Sequence, residues 1–206
     1  MVQQAPAARR DGPPNPDCPV ESPAMRNFLT CLALLLAVAT ARTGLAGPVS
    51  EYQLKAVFLF NFTQFVTWPT DAFPSAGAPL VIGVLGDDPF GSDLDAVVVG
   101  ERVGGRRLVV RRYRDVSDIK DCQVLFIDRS ESGALRKVVA ALRGRSILTV
   151  SDIDSAAENG VMIGLVLEQG HVRMRINLAA ARASGLALSS QLLRPAQLVG
   201  PGEERP

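Results

Sequence analysis

Three short runs of apolar residues, each bounded by turn-forming residues, constrain the fold of this chain more than any other feature. The runs are Leu80–Leu85, Val124–Ile127 and Ile147–Val150. Strands that are apolar on both faces are typical of a parallel sheet covered by helices on both sides. Because helical patterns separate these runs, the sequence predicts a single α/β domain with a mostly parallel central sheet flanked by helices.

Capping and turn residues predict the remaining elements. Val161–Glu168 and His171–Ile176 are expected to form a C-terminal antiparallel hairpin about Gln169 and Gly170, at the edge of the sheet. A further strand is expected at Arg107–Arg112 after a Gly-Gly turn. Helices or helical turns are predicted over Ser50–Trp68, Pro89–Val98, Asp115–Ile119, Glu131–Leu142, Asn177–Ser184 and Gln191–Leu198.

The first 46 residues are predicted to lie outside this domain. Residues 1–24 hold six of the 14 prolines and are expected to form a disordered extension, which an over-extended start before Met25 would explain. From Met25 a short basic start leads into the apolar run Phe28–Ala41 and a small-residue exit, as in a secretory signal peptide. We expect cleavage after Ala46 and export to the periplasm. A membrane anchor is the alternative, but a bilayer span needs about 20 apolar residues and Arg42 interrupts this one.

Removal of residues 1–46 leaves a domain over 47–199 and a disordered tail over 200–206. The formal net charge of the whole chain is +1 and that of residues 47–206 is zero, so the protein has no overall positive charge that would attract nucleic acid. No stable membrane insertion is expected after cleavage. Of the three cysteines only Cys122 remains, and it is expected to be a free thiol, either buried or open to pairing with another molecule. The apolar strand beside it favours burial.

The sequence contains no recognisable catalytic, metal or cofactor site. Its only histidine, His171, sits at the turn end of a predicted strand, and without a second histidine, a cysteine pair or clustered carboxylates it is expected to be a solvated turn residue and not a general base. The loop Gly86–Gly91 follows a buried strand, where α/β proteins bind ligands, and Asp87, Asp88 and Phe90 are its candidate ligand residues. It lacks the glycine patterns of phosphate-binding loops. Turn formation and helix capping are the alternative explanation.

One basic cluster stands out in a chain of balanced charge. It comprises Arg106, Arg107, Arg111, Arg112 and Arg114. Such residues commonly protect an exposed edge strand against unwanted pairing. The alternative is a docking patch for an acidic partner.

The first predicted helix is apolar around most of its circumference. At 100° per residue one stripe is expected to be core, and it comprises Leu54, Val57, Phe58, Phe62, Phe65 and Trp68. Further apolar residues, Tyr52, Leu59, Phe60 and Val66, lie elsewhere around the helix. Either the helix is buried between the sheet and the C-terminal helix, or these residues meet a second subunit or a partner protein.

Several blocks resemble the YfiR-like family, in the same order along the chain. The first helix, Tyr52–Pro69, and the strand and loop Ile82–Gly91 are two of them. Five more follow: Cys122–Ile127, Ile147–Asp152, Gly160–Ile163, Arg175–Leu178 and Ser189–Leu193.

The resemblance implies a small periplasmic, dimeric, non-enzymatic protein that represses a membrane diguanylate cyclase by binding its periplasmic portion. It would thereby lower cyclic-di-GMP synthesis and biofilm formation. Cys122 matches a family cysteine, but the residue that would pair with it is missing, so intramolecular disulfide sensing is not expected. The alternative function is a small-ligand sensor module that serves another envelope system such as a sensor kinase.

Overall fold

The computed structural model describes residues 50–200. These residues form a mixed α/β fold built on one eight-stranded sheet, with a separate two-stranded antiparallel sheet beside it. The predicted signal peptide, the N-terminal extension and the tail lie outside the described residues. Within residues 50–200, no helix is long and apolar enough to cross a membrane.

The strands and α-helices have the following bounds. The strands are β1 (Val66–Thr67), β2 (Leu80–Leu85), β3 (Arg102–Val103), β4 (Arg106–Tyr113), β5 (Val124–Ile127), β6 (Leu148–Ser151), β7 (Ile163–Glu168), β8 (His171–Ile176), β9 (Ala187–Leu188) and β10 (Gln197–Leu198). The helices are α1 (Glu51–Phe65), α2 (Asp93–Val98), α3 (Leu135–Ala141), α4 (Leu178–Ala183) and α5 (Ser190–Leu193). Single 3-10 turns occupy Thr70–Ala72, Val116–Asp118 and Arg129–Glu131.

The large sheet has the strand order β10-β8-β7-β6-β5-β2-β4-β3. Its centre, from β4 through β7, is parallel, and β8 joins antiparallel through the predicted hairpin. The fold class is therefore as the sequence predicts. The hairpin does not end the sheet, because β10 pairs with β8 and takes the edge position. Its two residues were expected to continue the last helix.

Two hydrophobic cores cover the two faces of the sheet. The core on one face includes α1, α2 and α5, with Leu59 and Phe62 of α1 completely buried. The core on the other face includes α3 and centres on Leu125 and Ile127 of β5. Because alternate residues of a strand point to opposite faces, every residue of β5 is buried and the whole strand is apolar.

Three further helix boundaries differ from the prediction: the end of α1 and the starts of α2 and α3, since α3 begins at Leu135 and not at Glu131. Ser50 caps α1 in a capping box with Gln53, as its sequence suggests, but the helix ends at Phe65 because Val66 and Thr67 pair with β9. Pro89 does not begin a helix; the chain turns there and α2 starts four residues later, at Asp93. The early end of α1 comes from a tertiary contact that local sequence does not encode.

Candidate functional site

The carboxyl ends of the parallel strands form the best-defined candidate site. β2 lies between β4 and β5. The connection from β2 leads to β4 on one side of it, and the connection from β4 leads back to β5 on the other side, so the strand order reverses at β2. Ligands of α/β proteins bind outside the carboxyl ends of strands at such a reversal point. A cleft of about 500 Å³ opens here. It is lined by Gly86, Asp87, Asp88, Arg112, Tyr113, Arg114, Ser130 and Glu131.

The predicted ligand loop contributes its three residues unequally. Asp87 is exposed in the cleft, and its backbone N–H donates to Ser130 Oγ at 3.0 Å. Asp88 is engaged in the fold, because its carboxylate accepts from the Phe90 N–H at 2.9 Å and from Arg112 Nε at 2.8 Å. Phe90 is only 3% exposed, so it is a core residue and its prediction as a ligand residue is wrong.

A charge cluster with a buried ion pair at its centre lies at the carboxyl ends of β5 and β6, and we call it the Lys55 cluster. It consists of Glu51, Tyr52 and Lys55 of α1, Arg129 after β5 and Asp152 after β6. Lys55 is completely buried, and its ammonium donates to Asp152 Oδ2 at 2.6 Å and contacts the Glu51 carboxylate. The same Asp152 oxygen accepts from the Tyr52 hydroxyl at 3.0 Å and lies 3.3 Å from Arg129 Nε.

The Tyr52 hydroxyl is held in its protonated form within this cluster. Burial, followed by the negative charge of Asp152, raises the pKa of Tyr52 to about 12, so its hydroxyl stays protonated and donates. The second Asp152 oxygen, Oδ1, is buried and has no hydrogen-bond partner among residues 50–200. The cluster joins the first turn of α1 to the ends of β5 and β6, and it orients Tyr52 edge-on to the Phe90 ring at 5.6 Å between centroids.

The faces of α1 are reversed relative to the prediction. Leu59 is completely buried and Val66 is 6% exposed, so neither belongs to a partner surface, and that prediction is wrong. Tyr52 and Phe60 are half-buried. The physical reason is that Lys55 is neutralised by Asp152 and can therefore lie on the inner face.

The outer face of α1 carries the apolar stripe that was expected to be core. Leu54 is 39% and Val57 is 42% exposed, while Phe58 and Phe65 are half-buried. These four residues define what we call the outer face. Of the predicted stripe, Phe62 alone is completely buried.

Cys122 is a buried thiol. It is 4% exposed, and Sγ donates to the Val124 carbonyl at 3.1 Å. Burial raises the pKa of this thiol to about 12, which keeps it protonated and unreactive at neutral pH. Cys122 forms no disulfide within residues 50–200, and its burial favours the buried thiol over the alternative of pairing with another molecule.

Sequence reasoning missed Lys55 and Arg129 altogether and gave Asp152 no part in a site. One signal was available, because the single lysine of a helix that is apolar around most of its circumference needs an acidic partner if it is buried. The aspartate directly after the apolar strand β6 is such a partner, but 97 residues separate the two in sequence. Within residues 50–200, no three histidine, cysteine or acidic side chains are grouped so as to hold a metal ion.

Comparison with known proteins identifies a family. A family model described as YfiR/HmsC-like matches residues 52–197. No curated protein matches the chain. A solved structure of an ABC domain in complex with L-Trp from Streptococcus pneumonia aligns with a TM-score of 0.45 and 13% identity. That alignment covers 58% of this chain and 55% of the other, so the chain spans about half the length of that protein.

Proposed function

This chain belongs to the YfiR/HmsC-like family, and we propose that it is a periplasmic, non-enzymatic regulator that binds a membrane diguanylate cyclase and lowers its synthesis of cyclic-di-GMP. The match over residues 52–197 supports a regulatory protein of cyclic-di-GMP signalling. The identity of the cyclase, its repression and the export of this chain are parts of the proposal.

The outer face of α1 carries this proposal. Leu54 and Val57 are the largest exposed apolar side chains of the helix, and the half-buried rings of Phe58 and Phe65 extend the same stripe. Contiguous apolar patches on a surface are typical of protein-interaction sites. We propose that an apolar segment of the periplasmic portion of the cyclase covers this face.

Reporter and crosslinking measurements test this assignment together. Deletion of the gene in its host is expected to raise cellular cyclic-di-GMP, and the wild-type gene is expected to restore the low level. The double variant Leu54→Asp/Val57→Asp is expected to leave cyclic-di-GMP high, because two carboxylates on the face oppose its desolvation. Leu167→Asp is the matched control, since Leu167 is 46% exposed on β7, and it is expected to restore the low level.

A photo-crosslinking amino acid at position 57 identifies what covers the face. We expect capture of an inner-membrane protein with a cyclase domain, and no such capture from position 167. A crosslink to a second copy of this chain instead would make the outer face a dimer interface. A normal cyclic-di-GMP level in the double variant would refute the docking assignment.

The export step has its own test. We propose that the signal peptide over residues 25–46 is cleaved after Ala46, and that residues 47–199 form the working domain. N-terminal sequencing of the periplasmic protein is expected to begin at Gly47. A start at any residue before Met25 would contradict the proposed boundaries.

A second candidate function rests on the cleft at the end of β2. Its volume of about 500 Å³ lies in the range of small-molecule sites, and Asp87 is exposed in it. In this alternative the chain is a small-ligand sensor that serves another envelope protein such as a sensor kinase. A ligand that raises the melting temperature of the wild type but not of Asp87→Ala would favour it.

A further inference from the structure

One strand of the large sheet has a largely open edge. β4 pairs with β2 over Leu108–Tyr113, whereas on its other side β3 pairs with it only at Arg106 and Arg107. The rest of that side has no neighbouring strand within residues 50–200. An exposed edge of this kind is a template for the addition of another strand.

The direction of the free backbone groups follows from the hydrogen bonds at the two ends of β4. The Tyr113 carbonyl accepts from the Gly86 N–H on the β2 side, at 3.1 Å. The Leu108 N–H donates to Glu101 on the opposite side, at 3.0 Å. Because backbone groups of successive residues alternate between the two sides of a strand, Val110 and Arg112 direct theirs to the open edge.

Five arginines lie on or next to β4, and only some of them contact acidic or carbonyl groups of the fold. Arg106 donates to the carbonyls of Ser75 and Ala78 and lies 3.8 Å over the Phe73 ring, and Arg112 is held by two aspartates. The remaining three arginines are exposed and form no salt bridge within the described part of the chain. They are Arg107, Arg111 and Arg114.

The positive charge of these arginines determines which kind of strand can pair with this edge. Two copies of β4 placed edge to edge would bring their arginines together, and like charges on neighbouring strands are destabilising. A second copy is therefore disfavoured, while an acidic strand gains backbone hydrogen bonds and ion pairs at once. A purely protective role of the arginines is the competing explanation.

We propose that the open edge of β4 accepts an extended acidic segment of a partner protein as an added strand. Arg107, Val109 and Arg111 share one face of β4, and Val109 is half-buried between the two cations. The complementary segment therefore carries acidic, apolar and acidic residues at alternate positions. This surface is separate from the outer face of α1, so it stands whether or not that face binds the cyclase.

The test uses the whole protein and a synthetic peptide with blocked ends, Thr-Glu-Thr-Val-Thr-Glu-Thr, labelled with a fluorophore. Fluorescence anisotropy is expected to show saturable binding that weakens with added salt. Arg111→Glu is expected to weaken binding about tenfold or more, the equivalent of one lost charge pair. Arg143→Glu is the matched control at an exposed arginine away from β4, and it is expected to bind within about twofold of the wild type.

Backbone measurements separate strand addition from simple charge attraction. Hydrogen exchange at the amides of Val110 and Arg112 is expected to slow when the peptide binds, and a peptide N-methylated on the edge facing β4 is expected not to bind. Equal binding of the N-methylated peptide would overturn the proposal, as would no effect of Arg111→Glu. Vesicles of phosphatidylglycerol that bind the protein through these arginines while the peptide does not would also overturn it.

Discussion

Replacement of Asp152 by asparagine tests whether the Lys55 cluster secures α1 to the sheet. The change keeps the side-chain shape but leaves the completely buried ammonium of Lys55 with Glu51 alone as its acidic contact. Removal of one partner from a buried ion pair lowers the free energy of unfolding by about 3–5 kcal/mol. Because Glu51 remains, we expect about 3 kcal/mol for Asp152→Asn.

The complementary change, Lys55→Met, removes the cation and keeps the length of the side chain. Asp152 then retains the Tyr52 hydroxyl at 3.0 Å and the Arg129 guanidinium at 3.3 Å, so we again expect a loss of about 3 kcal/mol. The double variant buries neither charge. Its loss is therefore expected to be close to that of one single variant, with a coupling of about 2–3 kcal/mol.

Urea unfolding followed by far-ultraviolet circular dichroism measures these losses. With a slope of about 2 kcal/mol per molar urea, each single variant lowers the midpoint by about 1.5 M. The control is Glu168→Gln, which removes one partner of a half-exposed pair with Arg175 and is expected to change stability by less than about 1 kcal/mol. Additive losses in the double variant would refute the reasoning, because they would show that the two charges act independently.

Four further outcomes follow from buried groups. Burial raises the pKa of Tyr52 to about 12 and that of Tyr113 above its usual 10, so phenolate absorbance at pH 10 is expected to be lower in the folded than in the unfolded chain. The stability that these two groups contribute is complete below about pH 10 and is lost as the pH rises above it. The contribution of Cys122 to stability is expected to be complete below about pH 9 and to decline toward pH 12, and a chromogenic disulfide reagent is expected to label Cys122 only when the domain is unfolded. Gly83→Ala is expected to lower stability by about 1–3 kcal/mol in urea, because the new methyl would lie 2.7 Å from the Tyr113 ring and 2.8 Å from Cys122 Sγ. Leu59→Ala is expected to lower it by about 2–5 kcal/mol, and an unchanged midpoint would contradict the burial of that side chain.

The sequence predicts those parts of the fold in which burial alone determines which residue types can occur. Leu80–Leu85 and Val124–Ile127 were predicted with their observed bounds, because a strand covered on both faces consists of apolar residues along its whole length. The hairpin was predicted from its turn, where Gln169 and Gly170 both have positive φ.

The parts that could not be predicted depend on contacts between distant residues. The pairing of β1 with β9 ends α1 early, and the pairing of β10 with β8 replaces the end of the last predicted helix. The candidate site shows the same limit. Asp87 was placed in the cleft from its position after a strand, whereas Lys55 and Asp152 could be joined only by the tertiary structure.

The structure assigns the two apolar faces of α1 to different roles, which the sequence alone did not distinguish. The inner face packs in the core, and the outer face is the proposed partner surface. A helix that covers one sheet needs one apolar face. The inner face of α1 provides it through Leu59 and Phe62. Lys55 lies on the same face because its charge is paired with that of Asp152. Nothing in the described core requires Leu54 and Val57 to be apolar on the other side, where each is about two-fifths exposed. Inner-face variants should therefore change stability, and outer-face variants should change partner binding without changing the urea midpoint. If Leu54→Asp lowered the urea midpoint as much as Asp152→Asn does, both faces of α1 would contribute to folding. The outer face would then not be the partner surface.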